Sequence, residues 1–409
     1  MARTGFLIML IAPALVEHIQ NVARTNGARS FYLYDTRAMR AKIGALQKTL
    51  PREVEIFYAM KANPHPCFLA AAKDSGVEGI EIASLGEAEK AVGAGFKPEQ
   101  ILFTGPGKSP EELAWSARNK IRAVHLESLT EAHRLSRICG EAGVTQDILV
   151  RVNPNFDIHG AQAKFSGDSS KLGIDEDVFR QVLPQIVALP HLRFKGLHVY
   201  AASGVLKVED LLENCRRVFQ LAKEIEAKYS GLVCEVIDFG GGFGIDYLET
   251  GCEFSIALYA EQLRVLIERY GFGGRKFVIE LGRYLAADSG WYCTEILDIK
   301  TSLGKKQVIC QGGAHHFRRP VALNINHPLT IVPMQRAEVF AGQESVNREM
   351  VFIGGPLCNT ADKLAPKDIY IEKAAIGDIA VFGLAGAYGY TMSHLDFLSH
   401  AHPPEIEIG

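Results

Sequence analysis

Residues 55–128 run EIFYAMKANPHPCFLAAAKDSGVEGIEIASLGEAEKAVGAGFKPEQILFTGPGKSPEELAWSARNKIRAVHLES, and one pattern repeats four times within them. Apolar or β-branched runs at Glu55–Asn63, Glu78–Ser84, Ile101–Pro106 and Ala123–Ser128 are each followed by helical periodicity, at Phe68–Ser75, Leu85–Ala94, Pro110–Asn119 and Leu129–Ala142. The recurrence, about every 22–23 residues, is the length of a βα unit with short loops. Outward from this block, Asp147–Pro154, Leu192–Tyr200, Val233–Gly242 and Lys276–Ala287 read as four more strands, with helical patterns at Val178–Leu189, Val208–Tyr229 and Ile256–Tyr270. Strict alternation predicts a parallel sheet. Eight repeats predict a closed (β/α)8 barrel over residues 30–287 rather than an open doubly wound sheet. After residue 288 the helical periodicity fades, and strand-like runs such as Trp291–Lys300, Gln307–Cys310, Met350–Ile353 and Ile379–Gly383 are separated by Gly and Pro. The expectation is a mostly antiparallel β domain over 288–409, joined by part of 1–29.

Composition narrows the class. The 409 residues are 47% hydrophobic and 22% charged, with a net charge of −3, so a packed globular core is expected and a nucleic-acid partner is not. Eight cysteines lie at irregular spacings without a C-x-x-C, which reads as reduced thiols rather than disulfides or zinc ligands. The apolar run Phe6–Val16 follows a single Arg3 and contains Pro13, with no small-residue cleavage site after it. It is therefore not read as a signal peptide, no membrane span is expected, and the expected location is cytoplasmic.

In a barrel of this kind the chemistry gathers where strands end. The first strand ends in Lys61, whose amine could form a Schiff base with a carbonyl if desolvated, or be an ordinary surface lysine. The seventh ends in Asp238-Phe239-Gly240-Gly241-Gly242, bare amides suited to a phosphate or simply to a tight turn. The eighth ends in Glu280-Leu281-Gly282-Arg283, a carboxylate and a guanidinium that could serve two ends of a charged cofactor or pair with each other. Arg151, His198 and Tyr200 stand at the same rim. Gly105-Pro106-Gly107-Lys108-Ser109 lacks the earlier glycine of a P-loop and is not read as one. In the β domain, Gly355-Pro356-Leu357-Cys358-Asn359 offers a thiol in a glycine-flanked loop.

Taken together, Tyr58–Asn63, Glu81–Glu87, Lys171–Ile174, Asp238–Gly244, Glu280–Tyr284, Gly355–Cys358 and Gly386–Tyr388 resemble, in order, the motifs of the fold type III pyridoxal-phosphate decarboxylases, which include the diaminopimelate and ornithine decarboxylases. The resemblance implies an alanine-racemase-like barrel plus β domain, working as a homodimer with shared active sites. It implies pyridoxal 5'-phosphate held covalently by Lys61, with Glu280 at the ring nitrogen and Gly241, Gly242, Ser203, Arg283 and Tyr388 at the phosphate. Glu81, Arg151, His198, Tyr200 and Gly282 would complete the cofactor site, and Cys358, from the partner subunit, would return a proton to the α-carbon. Asn359 stands where decarboxylases of free diamino acids usually carry an acid. Gly312–Pro320 and Ser393–His400 look like the siderophore-pathway decarboxylases, which act on amino acids joined to citrate. That subgroup implies a substrate site including His316, Arg318, Asn359 and Asp362, with Arg319 nearby; diaminopimelate is the alternative substrate. No metal is expected.

Overall fold

The computed structural model describes residues 11–25, 27–155, 163–164, 170–334 and 342–408. Eight parallel strands close into a barrel: Val54–Ala59, Gly79–Ile82, Ile101–Phe103, Ala123–Leu126, Gln146–Asn153, Leu192–His198, Val236–Asp238 and Lys276–Leu281. Closure comes from the pairing of the eighth strand with the first (Ile279↔Ile56) and of the fourth with the fifth (Val124↔Ile148). All eight expected strands are present. Each is shorter at its C-terminal end than the apolar run suggested, because the polar rim residues belong to the loops. Phe57, Leu102, Ala123, Leu149 and Val278 form a buried cluster contributed by five of the strands, so the barrel is filled by side chains.

Serine caps set the helices on this barrel. Ser84, Ser109 and Ser128 each accept a hydrogen bond from the backbone N–H three residues on, and Glu87, Glu112 and Glu131 stand at those third positions. Ser84 and Ser128 lie two residues beyond a barrel strand and Ser109 lies farther along its loop, and in each case S-x-x-E marks where the helix starts. The barrel belongs to a compact unit comprising Met39–Ile245 and Glu253–Leu285.

The second unit comprises Met1–Ala38, Asp246–Cys252 and Ala286–Gly409. Its strands form an eight-stranded mixed sheet. Gly290–Ser302 pairs antiparallel with Ser30–Tyr34, Lys305–Cys310 and Ile379–Phe382, while Lys305–Cys310 and Val346–Gly354 run parallel. Residues 6–10 of the N-terminal apolar run lie outside the described residues. The rest leads into a helix, Pro13–Thr25, with Pro13 at its first position, where a missing N–H costs nothing. Ile19 and Val22 of that helix are buried with Phe31, Leu33, Cys293 and Val381. Much of the apolar character at this end thus serves the β-domain core.

Candidate active site

Lys61 sits in a one-turn 3-10 helix, Met60–Ala62, immediately after the first barrel strand. Its Nζ donates to both Glu81 oxygens, at 2.9 and 2.8 Å. Glu81 is fully buried, yet 40% of the Lys61 side chain is exposed. An amine held by a buried counter-ion but open on one side is placed to meet a ligand, unlike a solvated surface lysine.

Four further strands bring His125, His198, Asp238 and Glu280 together, with one donor atom of each lying within 4.8 Å of the others. The rings of His125 and His198 are 4.4 Å apart. His125 approaches Asp238 at 3.6 Å and Glu280 at 3.8 Å, and His198 lies 3.6 Å from Glu280. Burial, with the neighbouring cations, holds both imidazoles well below the usual histidine range, so both are neutral at pH 7. Burial and then the Asp238 carboxyl push Glu280 well above the carboxylate range, and burial pushes Asp238 up to about 7. This pair therefore retains protons that an ordinary pair of acids would lose. Glu280 Oε1, Asp238 Oδ2 and the four ring nitrogens are buried without a hydrogen-bond partner. The group has the spacing of a metal site and equally the character of a pocket short of one positive charge.

Beside it, the Gly240–Gly242 turn crosses the eighth strand so closely that a Cβ on Gly241 would lie 2.2 Å from the Glu280 carbonyl oxygen. Gly242 has φ +114°, a conformation open to glycine. Arg283 Nη2 donates to Ser203 Oγ at 3.2 Å. Tyr200 packs over Gly240, and Gly282 packs against Ala59 and Ala62, next to Lys61. The structure thus brings Lys61, Glu81, His198, Tyr200, Ser203, Gly241, Gly242, Glu280, Gly282 and Arg283 to the barrel unit's strand ends.

Two structural roles were not foreseen. Glu127, buried after the fourth strand, accepts from Gly105 N and Gly173 N at 2.8 Å each and from Arg151 Nη1 at 3.0 Å. It ties the Lys171–Ile174 motif and Arg151 to the rim. Its place, one residue past a strand end like that of other site residues, was the available signal. His125 offered none, since a lone histidine in an apolar strand reads as core. Lys108 is buried, donating to Gly105 O at 2.6 Å and His125 O at 2.8 Å and pairing with Glu131, which gives that loop a structural lysine in place of a phosphate ligand.

The β-domain residues separate into two groups. Arg318 and Asn359 line a cavity of about 280 Å³ together with His315, His394, Leu357 and Phe397. His316 is held within the domain. It is buried, its Nδ1 lies 3.3 Å from Tyr292 OH, its Nε2 lies 2.9 Å from the Ala401 carbonyl, and burial lowers it to about 4, so it is neutral and engaged within the domain. The Asp362 carboxylate accepts from Ala314 N at 2.6 Å and Leu357 N at 2.7 Å, which makes it the clasp between two loops. Arg319 is fully buried, its guanidinium 3.9 Å from the Tyr247 ring centroid and 2.6 Å from His327 Nε2. It packs the core rather than decorating a loop. Cys358 is exposed, and Tyr388 holds a positive φ of 57° in its loop.

Comparison with known proteins bears on this arrangement. The family described as pyridoxal-dependent decarboxylase, pyridoxal binding domain, matches residues 36–287. The 2-[(L-alanin-3-ylcarbamoyl)methyl]-2-hydroxybutanedioate decarboxylase of Staphylococcus aureus is 34% identical, over 92% of this chain and 93% of its own. The L-glutamyl-[BtrI acyl-carrier protein] decarboxylase of Niallia circulans is 31% identical, over 92% and 88%. The crystal structure of diaminopimelate decarboxylase from Helicobacter pylori complexed with L-lysine superposes with a TM-score of 0.82 at 26% identity, covering 93% of this chain and 91% of that one. Further relatives at 28% and 30% identity are also named diaminopimelate decarboxylase.

Proposed function

The chain belongs to the pyridoxal-dependent decarboxylases, and we propose that it removes the α-carboxylate of an L-amino acid bearing a second charged end, with Lys61 holding the cofactor. The observation that carries the site assignment is the buried Glu280 Oε1 without a hydrogen-bond partner, in a cluster short of one positive charge. A protonated ring nitrogen supplies that charge, the half-exposed Lys61 supplies the amine, and the Gly241–Gly242 amides with Ser203 and Arg283 supply a phosphate cradle. The residues fit pyridoxal 5'-phosphate.

The bound cofactor supplies an electron sink for the pair of electrons left behind when carbon dioxide departs. The chain supplies the rest. Glu81 orients Lys61 Nζ and balances its charge while the amine is free. Glu280, backed by Asp238, holds a proton at the ring nitrogen. Neutral His125 and His198 keep further positive charge out of the pocket, so this proton is not repelled. Arg151, fixed by Glu127, closes the rim. In the homodimer proposed here, the exposed Cys358 of the partner subunit delivers a proton to the α-carbon.

For the substrate, the recurrence of diaminopimelate decarboxylase among relatives and solved structures supports diaminopimelate. One observation favours a second reading, an amino acid conjugated to a polycarboxylate: Asn359 provides no acid for a distal amine, and the 34%-identical relative is named for such a conjugate. The test is carbon dioxide release and product mass from purified holoenzyme offered diaminopimelate, ornithine, arginine, lysine and a citryl-diaminopropionate conjugate. Conversion of diaminopimelate to lysine would support the first reading, and turnover of the conjugate alone the second. Silence on every substrate would contradict both.

A further inference from the structure

His125, His198, Asp238 and Glu280 occupy a place that a barrel ordinarily fills with apolar side chains. All four lie in the barrel unit, on its fourth, sixth, seventh and eighth strands. His125, His198 and Asp238 are at most 1% exposed, and Glu280 is 6% exposed. Six of their polar atoms have no hydrogen-bond partner: both ring nitrogens of each histidine, Asp238 Oδ2 and Glu280 Oε1. An unmet polar atom at this depth costs free energy that a ligand returns. The ring nitrogen of a pyridine makes a single hydrogen bond, so the cofactor answers one of the six. One donor atom from each residue lies within 4.8 Å of the others, close to the spacing of atoms around a shared ion. The set is two imidazoles and two carboxylates, with no thiolate. Magnesium and calcium want oxygen alone, whereas mixed nitrogen and oxygen donors suit zinc, cobalt and their neighbours.

We propose that the cofactor-free chain binds a divalent transition-metal ion on His125, His198, Asp238 and Glu280, and that this ion and the cofactor exclude one another. The two carboxylates balance the ion's double charge, and the two imidazoles complete a four-donor set. Exclusion follows from Glu280, which both occupants claim: the ion as a ligand, the protonated ring nitrogen as its counter-charge. A divalent cation and a protonated pyridine would also repel each other strongly in an interior this dry. The loaded enzyme is accordingly free of metal at this cluster, and the ion is an occupant that loading must displace. Metal binding stands on the geometry alone; the exclusion rests on the pyridoxal phosphate reading.

The test uses the full chain freed of cofactor and metal, with Co2+ alone as the probe. Cobalt reports its ligands in the visible spectrum: a four-coordinate nitrogen and oxygen site gives ligand-field bands, and a thiolate adds a charge-transfer band. Wild type should take up one equivalent with the first and without the second, which sets aside the exposed Cys252 and Cys358. His125→Asn should weaken uptake by at least about tenfold, the lower bound when a metal site loses even a supporting residue. Asp238→Asn, which keeps the side chain's shape, should do the same and guards against a variant that misfolds. No uptake by wild type, a thiolate spectrum, or equal uptake by wild type and both variants would overturn the proposal. Pyridoxal phosphate added to the cobalt-loaded chain should then bleach the ligand-field bands as cofactor absorbance grows. Excess Co2+ should slow loading of wild type but not of His125→Asn. Cofactor loading that left the bands unchanged would overturn the exclusion. If cobalt bound as described and metal-free protein never loaded pyridoxal phosphate, the metal site would stand and the pyridoxal phosphate reading would fall.

Discussion

The barrel site depends on which charges each residue is allowed to keep. Burial raises the Asp238 and Glu280 carboxyls, and the direction of their shifts makes a testable difference. The Asp238 carboxyl is raised by burial to about 7, above the ordinary aspartate range. Between those values the native cofactor-free protein binds a proton that the unfolded chain does not, so this carboxyl lowers stability progressively as pH rises from about 4 to about 7. The melting temperature of cofactor-free Asp238→Asn should therefore gain on wild type across that window. A difference that shrank as pH rose would contradict the assignment. Comparing the variants removes the opposing contribution of the buried neutral histidines, whose lowered values favour the native state as pH rises. Lys61, Glu280 and Arg283 were legible in the sequence because chemistry at strand ends follows from the barrel pattern. Glu127 was not, because its role is to accept from Gly105, Gly173 and Arg151, residues brought together only by closure of the barrel.

At the scale of elements, strands and helices divide the work. The S-x-x-E turns at Ser84, Ser109 and Ser128 start the helices. The turn after the seventh strand does the opposite, trading side chains for backbone that a ligand can approach. Gly241→Ala would drive a Cβ to 2.2 Å from the Glu280 carbonyl oxygen, so the turn must lift away from the eighth strand. The expected cost is about 1–3 kcal/mol of stability together with weaker cofactor retention, measured by thermal melting and by cofactor content after dialysis. A variant that kept both would show the turn to be looser than described. Ser30–Tyr34 and Glu405–Glu407 were missed as strands because they are short and pair with each other from opposite ends of the chain, Tyr32 with Glu405. Local patterning cannot register such a partnership. The Pro13–Thr25 helix was hidden for a related reason: its apolar face has no assigned partner until the sheet it packs on is known.

Across the whole molecule, the chain divides into a barrel that closes on itself and a separate β domain built on a mixed sheet. The alternation of eight βα units made the barrel legible with all eight of its strands in place. The β domain was legible as a class. The partners that His316, Arg319 and Asp362 find inside the domain were not legible, because a polar residue in a glycine-rich loop gives no sign of where its partners lie. Among the described residues, no helix is long and apolar enough to cross a membrane. The account stands on Lys61 as the amine that holds the cofactor. Its most direct test is borohydride reduction of the loaded enzyme, followed by mass spectrometry of its peptides. A pyridoxyl phosphate adduct on Lys61, absent from Lys61→Ala, is the predicted result; an adduct on another lysine, or its persistence in Lys61→Ala, would contradict the account.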